Sequence, residues 1–396
     1  MYVRRIEGRD FRSFARLDVE FGLPGAAPLS NITLLVGPNG SGKTSLLRAL
    51  TLACAGESLS TGGFRSRYSI RRGDPAPERA WVTATIQGHD WILEREGEVR
   101  LHSQVDRFGD QEKVSPGHIG WTKEQWRAYQ LDANTSASPT YFLAAYHASR
   151  RAEASDTYSK GARAKSRSER YERVAGLFEE HVDLVPLGSW LLDSDRVAEA
   201  ADALDELLPR EVEVHRELVS EELFFRVDGV LLPTSALSDG YQAFLAWTGD
   251  LLHRLAAVAP TGLPLREIPG VVLIDEVDLH LHPAWQRQVL HRLAAAFPRL
   301  QIIATTHSPL VLGSVRHEQV RVLRSDQGLS EVLLPSEVTW GRSADQLLAS
   351  PFFGLDSTRD IEFAIALRDA EQKAAEGDLD DAIQYAKLLA RGGEEP

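Results

Sequence analysis

The chain has 396 residues, 43% of them apolar and 26% charged, enough for a large core and more than one subdomain. Its net charge of −13 excludes a surface coated for indiscriminate nucleic-acid binding, though not a local basic patch. One cysteine, Cys54, excludes an intrachain disulfide; residues 1–10 lack an apolar leader and no apolar run nears the ~20 residues of a membrane span, so a cytoplasmic location is expected.

In chain order, the alternation of Tyr2, Arg4 and Ile6, then Phe11, Phe14, Leu17, Val19 and Phe21, predicts a strand pair, broken by Pro24 and Pro28. Ile32-Thr-Leu-Leu-Val36 predicts a buried strand, and Ser45 to Ala53 has helical spacing. Residues 60–135 read as a β-rich insertion with strands at Trp81–Ile86 and Trp91–Arg95, and Tyr141–Tyr146 as a further core strand. Residues 150–210 are polar, mixed in charge and helix-forming, which predicts a helical subdomain. Phe224 to Leu232 reads as a hairpin turning at Asp228-Gly229. Val271–Ile274 and Gln301–Thr305 are buried strands separated by helices; beyond Gly354 the chain is helical and acidic. No internal repeat is present.

Four segments carry chemistry. Gly37-Pro38-Asn39-Gly40-Ser41-Gly42-Lys43-Thr44, followed by Ser45, is a complete G-x-x-x-x-G-K-[ST] between a strand and a helix. Its glycines let backbone N–H groups wrap phosphates, Lys43 reaches the β/γ-phosphates, and Thr44 can ligate Mg2+. Val271-Val-Leu-Ile-Asp-Glu276 is a strand ending in two acids. Alone that pattern is as often structural as functional. Downstream of a phosphate loop it assigns Asp275 to the Mg2+ shell and Glu276 to general base. Leu237-Ser-Asp-Gly-Tyr-Gln242 alone is a helix cap; between the other two motifs, Ser238 and Gly240 become a γ-phosphate receptor. Ile302-Ile-Ala-Thr-Thr-His-Ser-Pro309 puts His307 at a strand end, where it can meet the γ-phosphate or attacking water.

These motifs occur in the order found in ABC-superfamily ATPases, which the chain resembles over about residues 1–355. Leu273-Ile-Asp-Glu-Val-Asp-Leu-His-Leu-His-Pro283, Leu237-Ser-Asp-Gly-Tyr241 and the opening Phe11-Arg-Ser-Phe14 look like the AAA-annotated ATPases related to the OLD family, RecF and SMC-like heads. The resemblance implies an α/β P-loop NTPase head of ABC type with a mixed central sheet, a β-rich insertion and a helical subdomain. Its expected parts are residues 1–145 (phosphate loop and insertion), 146–235 (helical subdomain and hairpin), 236–340 (signature, acidic strand end and His307) and 341–396 (helical tail). It further implies ATP and Mg2+ as cofactors, hydrolysis to ADP and phosphate, and a homodimer or higher oligomer sandwiching ATP. Each site would take Gly37–Thr44, Asp275, Glu276 and His307 from one subunit, and Ser238 and Gly240 from the other. Asp278 to His282 would lie at that interface, and Phe11 and Arg12 match an early segment that meets nucleotide.

The signature departs from the transporter pattern at Asp239, Tyr241 and Gln242. The Q-loop has no evident glutamine, with His147, Arg150 and Gln130 as candidates. Fewer than ~90 residues follow His307, too few for a Toprim nuclease besides the end of the head, so none is expected in this chain. The resemblance therefore implies a separate effector, a nuclease or toxin, in bacterial antiphage defence. The alternatives are a RecF/SMC-like repair ATPase that binds DNA, a transporter subunit, and a non-hydrolysing scaffold; no membrane partner is expected. His280, His282 and His291 with Asp275 and Asp278 allow a zinc reading, opposed by the lack of a cysteine partner and by their place in the interface loop. Two basic runs could meet nucleic acid or a protein, or be solvated faces: Arg150 to Arg173, and Arg65, Arg67, Arg71 and Arg72 with Phe64 and Tyr68.

Overall fold

A computed structural model describes residues 1–25, 27–62, 64, 66–73, 75–90, 95–127, 142–148, 151–152, 169–179, 182–191, 195–219, 222–335, 337–353, 355, 357–375, 383 and 386–387. The chain divides into two compact units, Met1–Gly341 and Arg342–Pro396.

The first unit is organised by two sheets. In one, β1 (Tyr2–Phe11), β2 (Phe14–Glu20), β4 (Arg79–Asp90), β5 (Arg95–Phe108) and β6 (Gln111–Ile119) run antiparallel in the order β2-β1-β4-β5-β6. The segment read as a β-rich insertion thus extends the opening hairpin, because β4 pairs along the free edge of β1 from Tyr2↔Gln87 to Arg9↔Trp81. Residues 91–94 of the strand expected at Trp91–Arg95 lie outside the described residues, and Arg95 opens β5.

The second sheet has the order β16-β15-β3-β14-β13-β7, from β3 (Ile32–Val36), β7 (Leu143–Tyr146), β13 (Gly270–Ile274), β14 (Leu300–Thr305), β15 (Val320–Asp326) and β16 (Leu329–Leu333). Strands β3, β7, β13 and β14 are buried at every residue, as continuous apolar runs covered on both faces must be. They are mutually parallel and β15 joins them, while β16 returns antiparallel. Their carboxyl ends therefore share one edge, where parallel sheets bind ligands. Helix α1 (Lys43–Thr61) packs on β4, β5 and β6 of the first sheet and on β7 and β14 of the second. Gln301, fully buried on β14, ties the sheets together: its side chain accepts from Val3 N and donates to Val3 O and Gly22 O, each at 2.7 Å.

The described part of the expected helical subdomain holds short helices, Glu169–Ala175, Leu187–Leu191 and Val197–Leu207, and a two-residue parallel pair, β8 (Arg151–Ala152) with β9 (Asp183–Leu184). A three-stranded antiparallel sheet follows, β10 (Val212–Val219), β11 (Glu222–Val227) and β12 (Val230–Pro233), with β11 and β12 joined at Asp228-Gly229. The helix Asp239–Val258 then leads to β13. The second unit contains the helices Ala344–Leu348, with a Ser343/Gln346 capping box, and Ile361–Ala375.

Candidate active site

The phosphate loop leaves β3 at Val36 and enters α1 at Lys43. Two glycines are demanded by space as well as backbone: Gly37 (φ 151) would place a Cβ 2.2 Å from Leu323 O, and Gly42 (φ 101) one 2.8 Å from Ser330 Oγ. The Ser41 hydroxyl is buried with no hydrogen-bond partner, an orphan donor that a phosphate oxygen would satisfy. The Lys43 ammonium donates to Gly37 O (2.7 Å) and Pro38 O (3.0 Å). Burial pushes its pKa down to about 8, opposed by the charges of Asp275, Glu276 and Asp278.

Asp275 stands at the end of β13, 3% exposed, and both oxygens accept hydroxyl hydrogen bonds: Oδ2 from Thr44 (2.8 Å) and Oδ1 from Thr305 (2.6 Å). Hydroxyl and carboxylate oxygens facing one another beside a phosphate loop are the hard donors Mg2+ takes, with phosphate and water completing its shell. The Thr305 hydroxyl also accepts from Glu276 N (2.7 Å), so one side chain orients both acids. Glu276 has φ 50, an uncommon left-handed conformation for a side chain of this kind. Next along, Thr306 Oγ1 donates to Asp278 Oδ1 (2.5 Å) and accepts from Ser308 N (2.9 Å), fixing the turn that presents His307. Burial, then Lys43, lowers the His307 pKa, which favours the neutral imidazole.

Replacing Thr305 with valine keeps its shape and removes both bonds. We expect a loss of about 1–3 kcal/mol from the unsatisfied Glu276 N–H and the Asp275 oxygen, with lower turnover. Urea unfolding and steady-state rates measure the two effects, and serine at the position should recover most of both.

One cleft of about 570 Å³ gathers Arg12, Asn39, Gly40, Gly42, Lys43, Thr44, Ser45, Asp275, Glu276 and His307. The Arg12 pKa is pushed down to about 10, first by burial and then by Arg48. Ser238 and Gly240 are not brought to this cleft. They line a second one, of about 910 Å³, with Tyr241, His280, His282 and Trp285. A Cβ on Gly240 would lie 2.5 Å from His280 O, so the signature turn sits directly on the loop after Glu276. Ser238 caps the helix Asp239–Val258 by backbone conformation, without a side-chain cap bond.

Of the Q-loop candidates, His147 Nε2 lies 3.8 Å from Asp275 Oδ2, while Gln130 and Arg150 are outside the described residues. Among the described residues no group of three His, Cys, Asp or Glu side chains is arranged to hold a metal ion, which leaves the zinc reading of His280, His282 and His291 without support. In the first basic run, Arg170 and Arg173 are buried, and Arg150, Lys160, Arg163, Lys165 and Arg167 lie outside the described residues. In the second, Arg65 lies outside them, Arg71 pairs with Asp10 at 2.8 Å, and Tyr68 and Arg72 line the phosphate-loop cleft. Thr305, Tyr68 and Arg72 are further residues of the site, and behind it lies a buried pair, Asp250 and Arg254. That pair had a signal: opposite charges four residues apart within an apolar helix. No helix among the described residues is long and apolar enough to cross a membrane.

Residues 32–313 match the family described as AAA domain, putative AbiEii toxin, Type IV TA system. Septu protein PtuA of Bacillus mycoides (strain KBAB4) is 27% identical over 365 residues, covering 90% of this chain and 45% of its own length. Retron Vc95 probable ATPase of Vibrio cholerae serotype O1 biovar El Tor is 40% identical over 114 residues, 28% of this chain and 22% of its own. The chain thus spans less than half the length of either relative. Among solved structures, an SMC head bound to the C-winged helix domain of ScpA shares the fold, with a TM-score of 0.53 at 17% identity over 84% of this chain and 98% of that one. The chain belongs to this AAA-domain family and shares the head fold of the SMC structure.

Proposed function

We propose that this chain binds ATP with Mg2+, hydrolyses it between two copies of itself, and by that cycle times a separate effector, a nuclease or toxin, in bacterial antiphage defence. The observation that carries the reading is the division of the motif residues. Lys43, Thr44, Asp275, Glu276 and His307 converge in one cleft, while Ser238 and Gly240 face another. A second copy can then supply the missing γ-phosphate receptor.

The loop amides and Lys43 hold the phosphates, and Thr44 and Asp275 would hold Mg2+. Bound there, the ion neutralises charge on the β- and γ-phosphates. Glu276 accepts a proton as water attacks the γ-phosphorus; the bond from phosphorus to the bridging oxygen breaks and ADP departs. Neutral His307 donates a hydrogen bond to the γ-phosphate or to the attacking water. Ser238 and Gly240 of the second copy close on the same phosphate, so binding ATP clamps the two heads. Similarity to the Septu protein over 90% of this chain, against 22% for a relative named for DNA replication and repair, supports the defence reading over the repair one. ATP-dependent gel shifts of DNA at low salt would favour repair instead.

Complementation tests the shared site. Lys43→Ala and Ser238→Arg are each expected to abolish turnover alone. Mixed in equal amounts, they should recover about a quarter of the wild-type rate, since half the pairs are mixed and each mixed pair has one intact site. No recovery, with both variants folded, would sink the composite site.

A further inference from the structure

Gln286 closes the short helix Pro283–Gln286 that follows the acidic strand end, and it lines neither cleft. Its half-buried side-chain amide bridges two segments: Nε2 donates to Leu281 O (2.9 Å), and Oε1 accepts from Ser308 Oγ (2.7 Å). The chemistry leaves one orientation. A backbone carbonyl can only accept, so the amide nitrogen must face Leu281. The Ser308 hydroxyl already accepts from Leu310 N (3.1 Å) and Val311 N (3.3 Å), so its proton goes to the amide oxygen. Glutamate would offer Leu281 no donor, and lysine would offer Ser308 no acceptor.

This tether reaches His307 from one side, and another reaches it from the other. Thr306 Oγ1 donates to Asp278 Oδ1 (2.5 Å). His307 thus stands between two residues that are both tied to the segment after Glu276. Among the described residues no hydrogen bond holds the imidazole itself, so its direction follows from its neighbours. Ser308 is buried, and bulk solvent cannot make good a partner lost there.

We propose that Gln286 is a positioning residue for ATP hydrolysis: through Ser308 it sets the direction in which His307 meets the γ-phosphate. The inference rests on the cleft being a hydrolytic nucleotide site. It deepens that reading by adding a residue that lies outside the cleft and acts through one inside it.

The test is a mutant cycle between Gln286 and His307 in the full chain, read by single-turnover ATP hydrolysis with Mg2+ and by calorimetry. Gln286→Ala is expected to slow hydrolysis about fivefold, the worth of one lost hydrogen bond, with ATP affinity little changed. In the His307→Ala background the same substitution should cost nothing further, because no imidazole is left to direct. Gln286→Glu keeps the acceptor for Ser308 and should lose less than alanine. Nitrogen NMR of labelled histidine in the nucleotide-free chain gives a second readout, with His307 assigned by its loss in His307→Ala. The His307 imidazole signals should move in Gln286→Ala. An unchanged rate overturns the proposal. So does an equal loss in both backgrounds, or an unmoved His307 signal, either of which would make Gln286 a support acting elsewhere. A wild-type chain that hydrolyses no ATP overturns the reading of the cleft itself, and this inference with it.

Discussion

Replacing Glu276 with glutamine is expected to slow ATP turnover by about a thousandfold, the middle of the range for loss of a general base, while ATP still binds. The substitution isolates the chemistry. Glutamine has the shape of glutamate, can keep the left-handed backbone at φ 50, and retains the N–H held by the Thr305 hydroxyl at 2.7 Å. Lys43, Thr44 and Asp275 are untouched, so phosphate binding should persist. What is removed, on the proposed mechanism, is an acceptor for the proton released as water attacks. With hydrolysis blocked, ATP should hold the chain in its two-headed form, visible by light scattering after gel filtration. Single-turnover hydrolysis gives the rate and calorimetry the affinity. A rate within threefold of wild type would remove Glu276 from the role of base.

The largest stability effect is expected at Asp250, where alanine should cost about 3–5 kcal/mol. Asp250 is fully buried on the helix that begins at the signature. Its oxygens accept from Tyr146 Oη (2.8 Å), Arg254 Nε (2.5 Å) and Val185 N (3.0 Å). Taking away that carboxylate leaves the guanidinium of Arg254, itself 10% exposed, facing a low-dielectric interior without its anionic partner. The cost comes from the charge left behind, so it should shrink when both are removed. Asp250→Ala with Arg254→Met is therefore expected to be more stable than Asp250→Ala alone, read from urea midpoints at constant m-value. If the double variant loses the sum of the two single effects, the charge argument fails. Activity should fall as well, because Tyr146 connects this pair to the acidic strand end: its carbonyl accepts from Asp275 N at 2.8 Å.

The parts of this protein legible in the sequence were those that local chemistry specifies. A phosphate loop needs glycine, lysine and threonine at fixed offsets, and an apolar strand ending in Asp275-Glu276 carries its own signal. The buried strands of the second sheet showed as unbroken apolar runs. What lay hidden depends on pairing between distant segments. Nothing near Arg79 announces that β4 will lie along β1, because antiparallel register is chosen by the partner. Thr305 was visible inside Thr-Thr-His-Ser-Pro, yet its hydroxyl acquires two roles only when β14 lies beside β13. In sequence Tyr68 and Arg72 belong to a basic run; only contacts with the distant Glu112 and the end of β1 place their loop at the cleft.

The Gln301 bridge has a consequence for the order in which the molecule can be made. Val3 and Gln301 are 298 positions apart, and the cleft itself needs both Arg12 and His307. At ~5–20 residues per second, a ribosome that has finished the opening hairpin works for roughly 15 to 60 seconds more before the residue that ties it to the central sheet is synthesised. Until then the Val3 backbone lacks this polar partner and the nascent chain has no complete nucleotide cleft. ATP binding therefore marks a head whose two sheets have joined. On the proposed function, a partial chain could not clamp a second copy prematurely, since the nucleotide cleft is assembled by the same late contacts that finish the fold.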